Sequence, residues 1–356
     1  MKSERNLKKF GERKNEKNKL LLATAILATA LGTASLNQNV KAETAGVVTG
    51  KTLPITKSMI YTDNEILMPK TTFTFTIEPD TTASGKTKDG LEIKSGETTG
   101  LTTKAIVSYD NTDKESAKNK TSNFNFETVT FSGIGIYRYT VSEQNDGIEG
   151  IQYDGKKWTV DVYVGNKEGG GFEPKYVVSK EVNSDVKKPI RFENSFKTTS
   201  LKIEKQVTGN TGELQKDFNF TLILEASALY EKGQVVKIIQ DGQTKDVVIG
   251  QEYKFTLHDH QSIMLAKLPI GISYKLTEDK ADGYTTTATL KEGEIDAKEY
   301  VLGNLQKTDE SADEIVVTNK RDTQVPTGVV GTLAPFAVLS IVAIGGVIYI
   351  TKRKKA

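Results

Sequence analysis

Two five-residue stretches govern the reading of this chain: Leu53-Pro54-Ile55-Thr56-Lys57 and, 148 positions later, Leu201-Lys202-Ile203-Glu204-Lys205. Side chains on a strand alternate between faces, so residues two apart share one. On that spacing Leu53, Ile55, Lys57 and Met59 fall on one face, and Leu201, Ile203, Lys205 and Val207 on its counterpart. Each stretch is a period-two strand whose lysine is in phase with its apolar residues. Outward from this pair the chain repeats itself degenerately. The first copy continues through Phe73-Thr74-Phe75-Thr76-Ile77 and Tyr137-Arg138-Tyr139-Thr140-Val141-Ser142-Glu143, and ends Ile190-Arg191-Phe192-Glu193-Asn194. The second continues through Phe218-Asn219-Phe220-Thr221-Leu222 and Ile272-Ser273-Tyr274-Lys275-Leu276-Thr277-Glu278, and ends Ile315-Val316-Val317-Thr318-Asn319.

Between these markers lie more short runs rich in Thr, Val, Ile, Tyr and Phe, separated by Gly, Asn and Asp turns. Residues 158–164 are one such run, and Glu168-Gly169-Gly170-Gly171 turns it toward Phe172 as a hairpin. The expected fold is all-β, two β-sandwich domains in tandem over 43–197 and 198–321, joined near 197–200. One short helix is expected, over 226–232.

The same parity test places Glu143 with Tyr137, Tyr139 and Val141, and Glu278 with Ile272, Tyr274 and Leu276. Asn194 falls with Ile190 and Phe192, and Asn319 with Ile315 and Val317. A single polar residue at a strand end ordinarily reaches water. Six of them, matched in type and order across two repeats, argue instead for one inward Lys, Glu and Asn per domain. Desolvation lowers a lysine pKa and raises a glutamate pKa, so a buried pair can be neutral. The amine is then a nucleophile toward the Asn carboxamide carbon, with the carboxylic acid as proton donor and shuttle. Ammonia leaves, and a Lys–Asn isopeptide bond forms once, without cofactor.

Composition narrows the functional classes. The 356-residue chain carries net charge +2 and no cysteine. Residues 1–42 hold nine basic and three acidic groups, and the tail after residue 350 carries +4, which leaves the body between them at −8. An acidic body excludes a nucleic-acid partner. Without cysteine, no disulfide can staple an exported protein. The only histidines, His258 and His260, have no third ligand at metal spacing and no serine or cysteine triad. No metal, cofactor or enzymatic turnover is expected. Gly85-Lys86-Thr87 lacks the leading glycine and the strand–loop–helix setting of a phosphate loop. Trp158 is expected in the first core.

The two ends are targeting segments. A basic stretch over residues 2–19, an apolar segment over 20–28 and Val40-Lys41-Ala42 read as a signal peptide, 1–42, cut after Ala42. At the other end Gln324-Val325-Pro326-Thr327-Gly328, within 322–328, precedes an uncharged span, 329–350, long enough to cross a bilayer as a helix, and a basic tail, 351–356.

That order of Pro-Thr-Gly, apolar span and basic tail resembles the cell-wall sorting signal of Gram-positive surface proteins. In that family a sortase cysteine cuts between Thr and Gly and passes the Thr carbonyl to an amine, here at the Thr327–Gly328 bond. The usual motif is Leu-Pro-x-Thr-Gly. Val325-Pro326-Thr327-Gly328 departs from it in a way that fits a dedicated sortase that polymerises pili. The Lys…Glu…Asn order likewise resembles CnaB-type, Ig-like domains that cross-link themselves. Taken together, the mature chain resembles the T-antigen-type major (backbone) pilins of streptococcal pili over essentially its full length.

The resemblance implies cross-links Lys57–Asn194, assisted by Glu143, and Lys205–Asn319, assisted by Glu278. It implies a shaft subunit polymerised head to tail with further copies of itself, joined by a pilus-polymerising sortase, carrying minor pilins and attached to the cell wall. It also implies Lys187 as the acceptor amine, by its place before the last strand of the first domain. By sequence alone the adjacent Lys188 is equally eligible, and a solvated basic pair beside an edge strand is common. The competing function is a wall-anchored monomeric adhesin.

Overall fold

A computed structural model describes residues 45–60, 67–110, 112–113 and 119–323. The signal peptide 1–42, Gln324 through Gly328, the span 329–350 and the tail 351–356 lie outside the described residues. Among those described, no helix is long and apolar enough to cross a membrane.

The first half runs β1 (Val47–Thr49), β2 (Thr52–Ile60), β3 (Thr71–Pro79), β4 (Ile93–Ser95), β5 (Lys104–Tyr109), β6 (Asn119–Asn125), β7 (Gly135–Glu143), β8 (Ile151–Gln152), β9 (Lys157–Asn166), β10 (Phe172–Glu181) and β11 (Ile190–Phe196). The second runs β12 (Thr198–Thr208), β13 (Phe218–Glu225), β14 (Val235–Gln240), β15 (Gln243–Val248), β16 (Glu252–Leu257), β17 (Ser262–Pro269), β18 (Ser273–Glu278), β19 (Thr285–Glu292), β20 (Lys298–Glu299), β21 (Leu305–Lys307) and β22 (Asp313–Lys320). Alternation makes these strands two-faced. In β3, Phe73, Phe75 and Ile77 are buried while Thr72, Thr74 and Thr76 face outward or the rim.

Each half folds as two facing sheets. In the first, the order β1-β10-β9-β7-β3-β5, with β4 added beside β7, faces β6-β2-β11-β8. In the second, β15-β14-β17-β12-β22-β19-β20 faces β16-β13-β18-β21. The two cores are separate, one built around Phe73, Phe75, Tyr139, Trp158 and Phe192 and the other around Phe220, Leu222, Leu265, Tyr274 and Ile315. The Gly-rich turn joins β9 to β10 as the sequence predicts. The halves also touch: the Lys70 N–H donates to the Leu229 carbonyl at 2.8 Å, and Lys70 pairs with Glu231 at 2.6 Å.

The helix expected over 226–232 does not form; the stretch is bends and a turn. Too few residues are available to repay helix nucleation. Ser227 takes the local donors instead, its Oγ accepting from the N–H groups of Leu229 and Tyr230, while its own N–H donates to the Tyr230 carbonyl at 2.8 Å. Tyr230 is thereby turned into the second core. The sequence reading also passed over β1, only three residues long between two glycines.

Candidate functional site

Strand register builds one polar cluster inside each half. In the first, β2 and β11 run parallel and adjacent, with Lys57 opposite Phe192 and Asn194 opposite Met59. In the second, β12 and β22 are parallel neighbours, with Lys205 opposite Val317 and Asn319 opposite Val207. In both, the asparagine lies two residues beyond the position facing the lysine, on the same inward face. A diagonal of this kind separates Cα atoms by roughly 7–8 Å, within reach of a lysine and an asparagine stretched toward each other. The glutamates come from the opposite sheet, Glu143 at the end of β7 and Glu278 at the end of β18.

The three side chains meet in each case. Lys57 Nζ stands 2.7 Å from Glu143 Oε1, and Asn194 Nδ2 donates to the same oxygen at 3.1 Å. Lys205 Nζ stands 3.0 Å from Glu278 Oε1, and Asn319 Nδ2 donates to it at 2.9 Å. Lysine and glutamate side chains are 0–1% exposed in both clusters. Phenylalanine rings floor them: Lys57 Nζ lies 4.6 Å from the centroid of Phe73, and Lys205 Nζ 4.4 Å from that of Phe218. Those rings are inward residues of β3 and β13, and nothing in their own sequence singled them out from other core aromatics.

Burial governs the protonation of both pairs. Desolvation lowers the Lys57 ammonium to about 8, against the opposing pull of Glu143. It raises the Glu143 carboxyl, with Lys57 and Asn194 opposing. Lys205 is lowered and Glu278 raised for the same reason. In each pair the shifts run toward a neutral amine and a neutral acid, and burial is the cause of both. Hydrogen bonds pull the other way: Asn194 and Asn319 each donate to Oε1 and favour the carboxylate, but desolvation is the larger effect in both clusters. A buried ion pair so poorly solvated is costly as charges, and less so as neutral groups.

The clusters differ at the asparagine carbonyl. The backbone N–H of Asp154 donates to Asn194 Oδ1 at 2.8 Å. The Asp154 carboxylate anchors its loop, Oδ2 accepting from the Glu193 N–H at 2.9 Å and Oδ1 from the Lys156 N–H at 3.0 Å. Among the described residues Asn319 Oδ1 has no hydrogen-bond partner. Asp154 escaped the sequence reading because its contribution is a main-chain donor, which no side-chain pattern announces.

Lys187 and Lys188 lie outside both clusters, on the segment between β10 and β11. They are not equivalent. Lys188 is exposed, with Nζ 3.6 Å from Glu181. Lys187 is half-buried and bridges Lys180 at the edge of β10, and desolvation lowers its ammonium. His258 and His260 do not converge: the first faces Asp217 and the second Asp259. Among the described residues no group of three or more His, Asp or Glu could hold a metal. Gly85-Lys86-Thr87 is one side of a tight turn centred on Lys88-Asp89, with Lys86 bridging Glu92 and the Gly90 N–H donating to the Thr87 carbonyl at 2.9 Å. Trp158 is buried in the first core with its ring edge-on to Phe192.

Known proteins resemble this chain over most of its length. Residues 50–197 match the family described as a Spy0128-like isopeptide containing domain, and residues 199–321 match a domain of unknown function. A protein named "Pilin" from Streptococcus pyogenes serotype M1 is 39% identical over 323 residues, spanning 87% of this chain and 93% of that protein. The solved major pilin T-13 of S. pyogenes is 94% identical with a TM-score of 0.73, and the major pilin T3.2 is 60% identical with a TM-score of 0.76. Each covers 78% of this chain and is itself covered completely.

Proposed function

This chain belongs to the streptococcal pilin family, and we propose on that footing that it staples each of its two domains with a self-made isopeptide bond and is then joined end to end by a sortase. It is a structural shaft subunit of a surface pilus, not a turnover catalyst. The staples are Lys57–Asn194 and Lys205–Asn319. In each, the neutral lysine amine attacks the asparagine Cγ, the C–Nδ2 bond breaks, and the lysine gives up one proton. Glu143 or Glu278 donates its proton to the departing amide nitrogen and recovers one from the lysine. Ammonia is the only by-product, so atoms and charge balance without a cofactor.

Polymerisation is the second chemistry. A pilus-polymerising sortase recognises Gln324-Val325-Pro326-Thr327-Gly328, cleaves after Thr327 and transfers the Thr327 carbonyl to Lys187 of the next copy. The half-buried, depressed amine of Lys187, set against the ion-paired Lys188, supports that choice of acceptor. Final transfer to the cell wall and attachment of minor pilins belong to the same reading.

The observation that carries it is the duplication of one buried Lys–Glu–Asn cluster, with the same two-residue offset, in both halves. The test is the intact mass of residues 43–321 produced without any sortase. A mass short by two ammonia molecules supports both staples, and the full calculated mass refutes them. A monomeric adhesin has no such observation in its favour, and the solved relatives at 94% and 60% identity are major pilins.

A further inference from the structure

The edge of β10 is covered by two segments that meet at one residue. From Tyr176 to Val178 it pairs with β1, Val47 opposite Val178 and Thr49 opposite Tyr176. At Ser179 the cover changes. The Ser179 N–H donates to the Gly46 carbonyl at 2.9 Å, and the Ser179 carbonyl accepts from the Lys188 N–H at 3.0 Å. Ser179 Oγ donates to the Lys188 carbonyl at 2.6 Å. Lys187 then bridges Lys180. The N-terminal arm and the acceptor segment are thus laid end to end along one strand edge, with buried Ser179 holding both.

Gly46 closes this junction for two independent reasons. Its φ of +77° is strained for any side chain. A Cβ there would also stand 2.3 Å from the Lys188 nitrogen and 2.7 Å from its carbonyl carbon and oxygen, all backbone atoms with no rotamer to yield. Val47, the next residue, is buried and fixes the arm in register.

We infer that the arm over residues 45–49 positions the acceptor lysine: Gly46 packs on the Lys188 peptide, and with Ser179 it holds Lys187 where an acyl group can be delivered. This rests on the reading of Lys187 as the acceptor. The step is aminolysis of a thioester between Thr327 and the transpeptidase cysteine. The Lys187 amine attacks the acyl carbon, the C–S bond breaks, and the lysine proton leaves with the thiolate as thiol. A flexible lysine elsewhere on the surface would meet the same thioester at arbitrary angles, and a near-attack geometry is worth orders of magnitude in rate. Gly46 and Ser179 are positioning residues, since neither touches the acyl group.

The test uses the full chain on cells that supply the pilus-polymerising transpeptidase, in wild-type, Gly46→Val, Ser179→Ala and Lys187→Arg forms. Ladder intensity on blots and the Lys187-linked peptide by mass spectrometry are the readouts. The ammonia deficit and melting temperature of the extracted monomer report folding separately. Alongside, the same chains accept a Gln-Val-Pro-Thr-Gly peptide in vitro, scored as the ratio of transfer to Lys187 over hydrolysis of the thioester. The expected result is a fall of tenfold or more in ladder and in that ratio for Gly46→Val, and a smaller fall for Ser179→Ala, with hydrolysis, ammonia deficit and melting unchanged. Full ladders in Gly46→Val, with none in Lys187→Arg, overturn the inference and leave the acceptor reading intact. Full ladders in Lys187→Arg overturn both. Should Gly46→Val melt early, Ser179→Ala decides, because it removes one hydrogen bond to Lys188 and leaves the arm's backbone pairing in place; an unchanged transfer ratio there overturns the inference.

Discussion

Removing the second staple should turn an inextensible subunit into an extensible one, and removing the first should not. On the proposed linkage, tension would enter at Lys187 and leave at Thr327, crossing the first domain only through the short stretch that contains β11, which is already extended. It crosses the second domain entirely. Lys205 and Asn319 stand 114 positions apart in the chain but on adjacent strands. A bond between them passes force directly from β12 to β22 and hides everything between. In a Lys205→Ala subunit that hidden length is released on unfolding, about 400 Å at about 3.5 Å per residue. Lys57→Ala frees at most the ten positions from Lys187 to Lys197, about 35 Å at full stretch, most of it already spanned by an extended strand. Single-molecule pulling on sortase-made polymers measures this. Wild type and Lys57→Ala should show no unfolding steps of that size, and Lys205→Ala should show one per subunit. Equal steps in Lys57→Ala and Lys205→Ala, or steps in wild type, would refute the force path. At zero force each staple should contribute on the order of 4–5 kcal/mol by analogy with a disulfide closing about 100 residues.

Three further outcomes follow from particular residues. Glu143→Ala should abolish the first ammonia loss and spare the second, and Glu278→Ala the reverse, so each variant is short by one ammonia in intact mass; a deficit of two in either would remove the glutamates from the chemistry. Asp154→Gly unties the loop that aims its N–H at Asn194 Oδ1, and mass spectrometry of timed cell-free synthesis should show the first bond forming about tenfold more slowly with the second unaffected, since one such donor is worth about 10²–10³ where it is fully lost; equal rates would exclude the donor. Asp313 is 2% exposed, hydrogen-bonded by Tyr274 at 2.8 Å, and burial pushes its carboxyl from 3.8 up to about 6. The folded state therefore binds the proton more tightly than the unfolded one, so this residue's contribution to stability is full below about pH 4 and is lost as pH rises through 6, by roughly 3 kcal/mol at most. Asp313→Asn should accordingly raise the melting temperature at pH 7 relative to wild type and not at pH 4; an equal effect at both would show that the shift is absent.

Much of this protein was legible before folding because the relevant signals are local. Period-two alternation identified the strands and told which face each residue occupied, and Lys57, Glu143, Asn194, Lys205, Glu278 and Asn319 were inward by parity alone. Duplication turned six unremarkable polar residues into two sites. Where local signals compete, parity was silent: residues 226–232 contain good helix formers, yet Ser227 and the burial of Tyr230 made a turn of them.

The tertiary structure decided whatever depends on pairing between distant segments. That β2 lies beside β11 and β12 beside β22, each parallel and with the same offset, brings lysine and asparagine together across more than 100 residues. The Phe73 and Phe218 floors, the Asp154 N–H and the docking of Gly46 on Lys188 arise the same way. The physical reason is that a strand's own residues fix which face is apolar, through side-chain chemistry at short range. Register and neighbour, by contrast, are fixed only when whole faces are buried against each other, and main-chain donors and glycine contacts are set by that packing, not by any side chain a sequence displays.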